Sequence, residues 1–354
     1  MKPELLPINY TAPTWDGSYP CLVIHPINPG SVRPAFTSSI SRAKPSVRHD
    51  SQVNEFEVDL HSGVFLLRQT DLFVPDAMPL SLTRTYRIWD NYSRAFGVGT
   101  NHPYDICPTG TRLPYTYMDL NLEDGRKIHF SRISKGTGYA DAVFRHDETS
   151  SEFYDSHIAW NGDGWTLDFR DGSKFLFPEA YHATKYAQGA PIEMRDERGS
   201  SIRFKRDRVR NLEKLISPSG HTITFKYDGA GRIIEAGDDV GHIRRYFYNS
   251  AGNLETVSDG AHILNRFEYD SRVGPPGYGP YFMTSIKDGN GTELLRNWYG
   301  HGGRVSKQRL AGGQVYRYDY LLNKQFEIVE TVVTLPSGQT KRFFFRNGIL
   351  SEEK

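Results

Sequence analysis

The sequence predicts an all-β fold: an open, twisted antiparallel strip of β-hairpins preceded by an extended N-terminal arm. Three observations carry this. The 354 residues include 21 Tyr and 20 Phe beside 33 Gly and 20 Pro, a mixture of strand-forming aromatics and turn-forming residues. Asp-Gly and Asn-Gly pairs separate short runs of alternating apolar residues, the pattern of tight hairpins. A short phrase then recurs: "FKYDGAGRI" at Phe225–Ile233 is answered 21 residues later by "YFYNSAGNL" at Tyr246–Leu254. Periods of this length mark an array of stacked units. No window shows sustained helical spacing with caps.

The chain divides into three regions. Residues 1–53 read as an extended or disordered arm, because stretches such as "SVRPAFTSSISRAKPSVRHDSQ" combine scattered prolines with few large apolar residues. Within the arm, "CLVIHPI" (Cys21–Ile27) is a candidate docked strand. Residues 54–195 read as a β-hairpin region. "VFLLRQTDLFV" and "PLSLTRTYR" have strand composition, and turns fall at Asp124-Gly125, Asn161–Gly164 and Asp171-Gly172. Residues 196–354 read as the repeat strip.

Within the repeats, Tyr227, Tyr248 and Tyr269 stand 21 residues apart, and Phe225, Tyr246 and Phe267 hold the same place in successive units. One step earlier falls Arg206, which keeps the frame without the tyrosine. Later echoes place Tyr299, Tyr316 and Tyr318 in the series, after a Pro/Gly insertion, "VGPPGYGPYF". Leu212, Ile233, Leu254 and Val305 each lie six residues past the aligned position. Stacked units would line these into aromatic and aliphatic ladders, at roughly 0.2–1 kcal/mol per cross-strand pair. Asp228, Asn249 and Asp270, with Gly231, Gly252 and Gly303, are turn residues. One repeat is thus strand, turn, strand, turn. Six to seven units make about 14 strands, a strip roughly 65 Å wide at ~4.8 Å per strand. That is too short to close around a domain of about 130 residues.

The Y-D-x-x-G-R run with its trailing D/G loop resembles the YD repeat of the Rhs/YD-repeat family. The stretch "VDLHSGVFLLRQTDLFVPDAMPLSLTRTYR" (Val58–Arg87), followed by "AFGVG", is similar to the segment that opens the shell in Rhs proteins. The resemblance spans about Val58 to Ile349. It implies a β-sheet strip that spirals into a shell, often around a C-terminal toxin domain, in bacterial polymorphic toxin systems. The sequence departs from the family in three ways. Thr100 stands where a Trp commonly follows "FGxG"; the closing D-P-x-G motifs are missing; no toxin domain follows before Lys354. Self-cleavage and toxin activity are therefore not carried over.

No constellation points to catalysis. The net charge is +1, from 43 basic and 42 acidic side chains, so no global field favours nucleic acid or an anionic membrane. Cys21 and Cys107 read as two free thiols. None of the twelve histidines stands in H-E-x-x-H spacing, and there is no G-x-S-x-G elbow; His61, His102, His129, His157, His182, His221, His242, His262 and His301 fall at strand ends or turns. The acidic pairs Asp238-Asp239 and Glu352-Glu353 alternate faces. "NGDG" and "DGNG" lack full calcium-loop spacing, and "RFKRDRVR" (Arg203–Arg210) reads as a solvated strand edge. No catalytic, cofactor or metal residue is assigned, and no cofactor is expected. The start "MKPELLPINY" lacks a signal-peptide core, and no apolar run approaches ~18 residues. The expectation is cytoplasmic synthesis without membrane insertion, with export by a signal-independent route open.

The leading expectation is a non-enzymatic structural or interaction protein, a partial Rhs-type shell that cradles or docks a polypeptide: an Rhs remainder, a toxin domain or another copy of itself. A carbohydrate- or cell-surface-binding module using exposed aromatic faces is the second reading, and a truncated gene remnant the third.

Overall fold

A computed structural model describes residues 58–346 except 89, 149–151, 181–182, 184 and 271–280, together with residues 349–353. The expected arm over 1–53, with Cys21–Ile27, and most of the Pro/Gly insertion after Asp270 lie outside the described residues. The fold is all-β. Helical structure among the described residues is confined to four 3-10 turns of three or four residues.

The dominant element is one antiparallel sheet of 22 strands in chain order, from Cys107–Gly110 to Ile349–Glu353. Each strand pairs with the next in sequence, and no ladder among the described residues joins the first strand to the last. The sheet is therefore an open strip. Its last 14 strands, from Ser201–Arg206 onward, are the repeats; eight upstream strands extend the same ladder, which is continuous through Lys174–Pro178, Glu193–Arg195 and Ser201–Arg206. At ~4.8 Å per strand the arc is about 105 Å.

The period of 21 is a hairpin with a built-in irregularity. In five units the ladder shifts register just before the aligned position, so Arg206 pairs with Leu212, Tyr227 with Ile233, Tyr248 with Leu254, Tyr269 with Met283 and Tyr299 with Val305; in the Tyr318 unit the shift falls later, before Leu322. Bulges bend a strand and raise its twist, so one at the same place in successive hairpins curls the strip.

The curl closes on the protein's own chain. Strands Val64–Val74 and Leu80–Arg87 form a long hairpin in a separate small sheet, and residues 58–106 lie across the concave face. Backbone bonds tie them to the bulge region: Ile233 N–H donates to Ala95 O (2.7 Å), Val305 N–H to Gly63 O (2.8 Å), and Val98 N–H to Gly252 O (3.1 Å). One apolar core results, running from Phe130 and Phe144 through Phe65, Leu80 and Phe96 to Phe267 and Tyr318.

Candidate functional site

The repeat residues build the wall. The hydroxyl of Tyr227 donates to the carbonyl of Leu212 (2.9 Å), Tyr248 to Ile233 (2.5 Å), and Tyr269 to Leu254 (2.8 Å), each fifteen residues back. Tyr299 reaches Met283 O (2.5 Å), sixteen residues back and just past the insertion. In the following unit the bond belongs to Tyr320, which donates to Val305 O (2.7 Å); Tyr318 and Tyr316 are buried on the concave face. Burial raises the hydroxyl pKa of Tyr227, Tyr248, Tyr269, Tyr299 and Tyr320, keeping all five as neutral donors.

Arg206 corrects one expectation. It is not part of a solvated edge: its guanidinium is buried, donates to Pro191 O fifteen residues back (3.1 Å), pairs with Asp105 (3.0 Å) and donates to Tyr104 O. It occupies the tyrosine's place and makes the tyrosine's bond. The charge it brings there is met by an acid from the segment lying across the sheet.

The turns follow equally simple chemistry. Oδ1 of Asp228 accepts the N–H groups of Ala230 and Arg232, and Oδ1 of Asn249 those of Ala251 and Asn253. Gly231 and Gly252 take φ of 78° and 84°, which a side chain resists. Gly303 has φ 72° and donates to Gly300 O (3.2 Å). Asp270 lies in a strand opposite Phe282. The "NGDG" and "DGNG" stretches use the same device: Asn161 Oδ1 accepts from Asp163 and Gly164, and Asp288 Oδ1 from Asn290 and Thr292.

Phe225, Tyr246 and Phe267 are buried where residues 58–106 cross. Sequence reasoning missed the network at the centre of that crossing. Arg84, 2% exposed, grips Asp71 with two bonds (2.5 and 3.0 Å) and donates to Gln69 Oε1 (2.9 Å). Tyr246 donates to Asp71 Oδ2 (2.8 Å), and Arg84 stacks over the rings of Tyr246 and Phe267 at 5.8 and 5.6 Å. Burial alone would lower the Arg84 pKa; the Asp71 charge and hydrogen bonds outweigh it and raise it. Tyr86 adds a second pin, donating to Tyr281 O (2.5 Å) and accepting from Met283 N–H (3.0 Å). His102, expected at a strand end, is fully buried beside Phe96, Tyr104 and Phe225, and burial lowers its pKa. Among the described residues, no three His, Cys, Asp or Glu side chains assemble into a metal-holding group.

The two ends of the strip differ. Beside the first strand, Cys107 packs against Ala183 and Ala180, and Arg112 pairs with Glu179 (3.2 Å), so a returning segment covers that end. At the other end, Ile349–Glu353 has a single ladder among the described residues, to Thr340–Arg346. Beside Thr340–Arg346 a cavity of about 290 Å³ opens, lined by Val58, Leu60, Tyr318, Val333, Leu335 and Phe343 with Lys341 at its wall. Lys341 pairs with Glu353 (3.0 Å). Val58 and Leu60 form part of the cavity lining, so residues 58–106 cover the concave face here only in part.

Fold and site together define a β-hairpin repeat protein: an open strip, filled from within and exposing apolar surface at one end. A family model described as a domain of unknown function, DUF6531, matches residues 56–130. No curated protein matches in sequence. Among solved structures, a TcdB2–TccC3–TEV crystal structure aligns over 80% of this chain at 12% identity and a TM-score of 0.33. The Photorhabdus luminescens Tc holotoxin pore aligns over 80% at 12% identity and 0.32, and a porin-like protein from Bacteroides uniformis over 83% at 10% identity and 0.20. The chain spans 19% of the length of the matched chain in each of the two toxin structures. Among the described residues, no helix is long and apolar enough to cross a membrane.

Proposed function

We propose that the protein is a non-catalytic shell component of the Rhs/YD type, part of a bacterial polymorphic toxin system, that docks another polypeptide at its open end. The observation that carries this is the apolar cavity under Val333, Leu335 and Phe343. Residues 58–106 pack into one core with the strip; at this cavity apolar side chains line open space, the kind of surface that marks an interaction site. An incoming strand beside Ile349–Glu353 would extend the ladder, since an edge strand offers unpaired backbone groups. The tyrosine ladder and the stretch Val58–Arg87, which overlaps the family match, support the Rhs/YD assignment. A container for a guest is disfavoured for this segment, because its own chain occupies the concave face.

The test is purification of the tagged protein from its host, with identification of whatever co-purifies in stoichiometric amount. Leu335→Asp and Ser351→Pro, folded by circular dichroism, are expected to lose that protein. Retention in both variants would place docking elsewhere.

A further inference from the structure

Three like-charge pairs stand on the convex face of the downstream strip. The strands there are Ile263–Asp270, Phe282–Asp288, Glu293–Tyr299, Val305–Leu310 and Val315–Leu322. Register sets Arg266 opposite Lys287, Arg296 opposite Arg309, and Lys307 opposite Arg317. Their neighbours Phe267, Ile286, Leu295, Gln308 and Tyr316 are buried, so alternation turns all six cations outward. Glu268 answers Lys287, and Glu293 answers Arg296 and Arg309 at 2.6 Å each. Lys307 lies over the ring of Trp298 (4.1 Å). Arg266, Lys307 and Arg317 make no hydrogen bond or ion pair among the described residues.

Like charges directly opposite each other destabilise a strand pair. Protection of a sheet edge does not account for them, because each of these strands has a neighbour on both sides. The folded chain alone gains nothing from the arrangement; an anionic surface laid over it would offset the repulsion. The chain carries such a surface elsewhere. Residues 263–317 hold eight basic and four acidic side chains, and residues 141–179 hold three basic and nine acidic, within a net charge of +1. The acidic section lies about eleven strands away in the ladder, roughly 53 Å along the strip at ~4.8 Å per strand. Its ion pairs among the described residues run within it or to Arg112 and Arg132, not to the cationic face. Asp147 and Asp163 there are exposed, and their side chains hold no hydrogen bond or ion pair among the described residues.

We infer that copies of this chain associate head to tail, the acidic section of one seated on the cationic face of the next. The occupant is a second copy because the complementary charge sits on the same chain, and complementary fields both steer and orient such an encounter. A nucleic acid fits less well, since Glu268 and Glu293 stand among the cations and would face its phosphates. The two surfaces differ, so the contact is heterologous: a joined pair still offers one free surface of each sign, and the contact propagates. It is independent of the open end.

The test is sedimentation equilibrium of the intact chain. At about 100 µM protein and about 25 mM NaCl, where charges act over ~20 Å, wild type is expected to exceed the 40.3 kDa of one chain. At about 500 mM NaCl, where they act over ~4 Å, it should return to that mass. Arg266→Glu/Arg317→Glu and Asp147→Lys/Asp163→Lys should each weaken the association at least about tenfold. The first variant turns two like-charge pairs into opposite ones, so its melting temperature should stay level or rise; a merely structural role for these residues would make it fall. Mixed one to one, the two variants should form a heterodimer that grows no further, since each lacks a different surface. Wild type at the mass of one chain in low salt, association indifferent to high salt, or no heterodimer in the mixture would overturn the proposal. Leu335→Asp, at the open end, should associate as wild type does, and its loss of association would move the contact there and overturn it too. Nucleic acid held by wild type and released by Arg266→Glu/Arg317→Glu, with wild type at single-chain mass once it is stripped, would make the face a nucleic-acid surface instead.

Discussion

Replacing Arg84 by Met takes away the cation that Asp71 faces at the centre of the crossing. Arg84 and Asp71 have side-chain exposures of 2% and 3%, so water cannot rescue the remaining carboxylate. Breaking one member of a buried pair costs about 3–5 kcal/mol. Asp71→Leu should cost more, because it strands the Arg84 charge and also the Tyr246 hydroxyl that donates to Asp71 Oδ2, a further 1–3 kcal/mol or so. The double variant Asp71→Leu/Arg84→Met buries no charge and should recover most of the loss, leaving about the cost of the orphaned Tyr246 hydroxyl. Adding Tyr246→Phe should remove that remainder. Urea unfolding followed by near-UV and far-UV circular dichroism reads each step. Single variants that cost under about 1 kcal/mol, or a double variant as unstable as the two losses summed, would refute the claim that this pair pins residues 58–106 to the strip.

Four further outcomes follow from the same geometry. Tyr248→Phe and Tyr320→Phe should each lose about 0.5–1.5 kcal/mol, and Tyr318→Phe, whose contact to Gln308 is 3.5 Å, distinctly less; thermal melts rank them. Arg210→Gly and Phe326→Gly should stabilise by about 1 kcal/mol in the same assay, since these residues hold φ of 74° and 63° where other units have glycine. Glu123 is 5% exposed, and burial, then the Asp124 charge, raises its pKa to about 7 against the pull of Arg68. A carboxyl raised in the folded state favours folding fully below its ordinary value near 4.5 and loses that contribution as pH rises through 7, about 3 kcal/mol in all. Stability profiles of wild type and Glu123→Gln should therefore diverge between pH 4.5 and 7. The ladder tyrosines, also raised, contribute stability that is intact below about pH 10 and lost above it; their absorbance at alkaline pH should change only together with unfolding.

Much of the wall was legible because hairpins are local. The turn residues Asp228 and Gly231 and the six-residue offset to Ile233 follow from short-range backbone chemistry, and the structure places them in one bulged turn. The partner of each tyrosine was not legible, because the bond reaches a carbonyl in the preceding unit across a register shift that no residue type announces. Strand Val315–Leu322 shows the difficulty: its length puts Tyr320, two positions past Tyr318, against Val305. Arg206 breaks the tyrosine pattern while keeping its bond. Val64–Val74 and Leu80–Arg87 read as one more hairpin, since alternation gives a strand's faces but not the sheet it joins. Arg84 and Asp71, thirteen residues apart on a strand pair, look like a surface pair until the strip wraps over them.

Amide hydrogen exchange on the free protein tests the central claim most directly: that the concave face is filled by the chain itself and open at one end. Leu72, Arg84 and Tyr86 should exchange as slowly as Phe225 and Phe267 in the repeats, through global opening alone, while Ile349–Glu353 exchanges fast. A hairpin at Val64–Arg87 that exchanges in seconds beneath a protected strip would mean that the concave face stands open to a guest, and would contradict it.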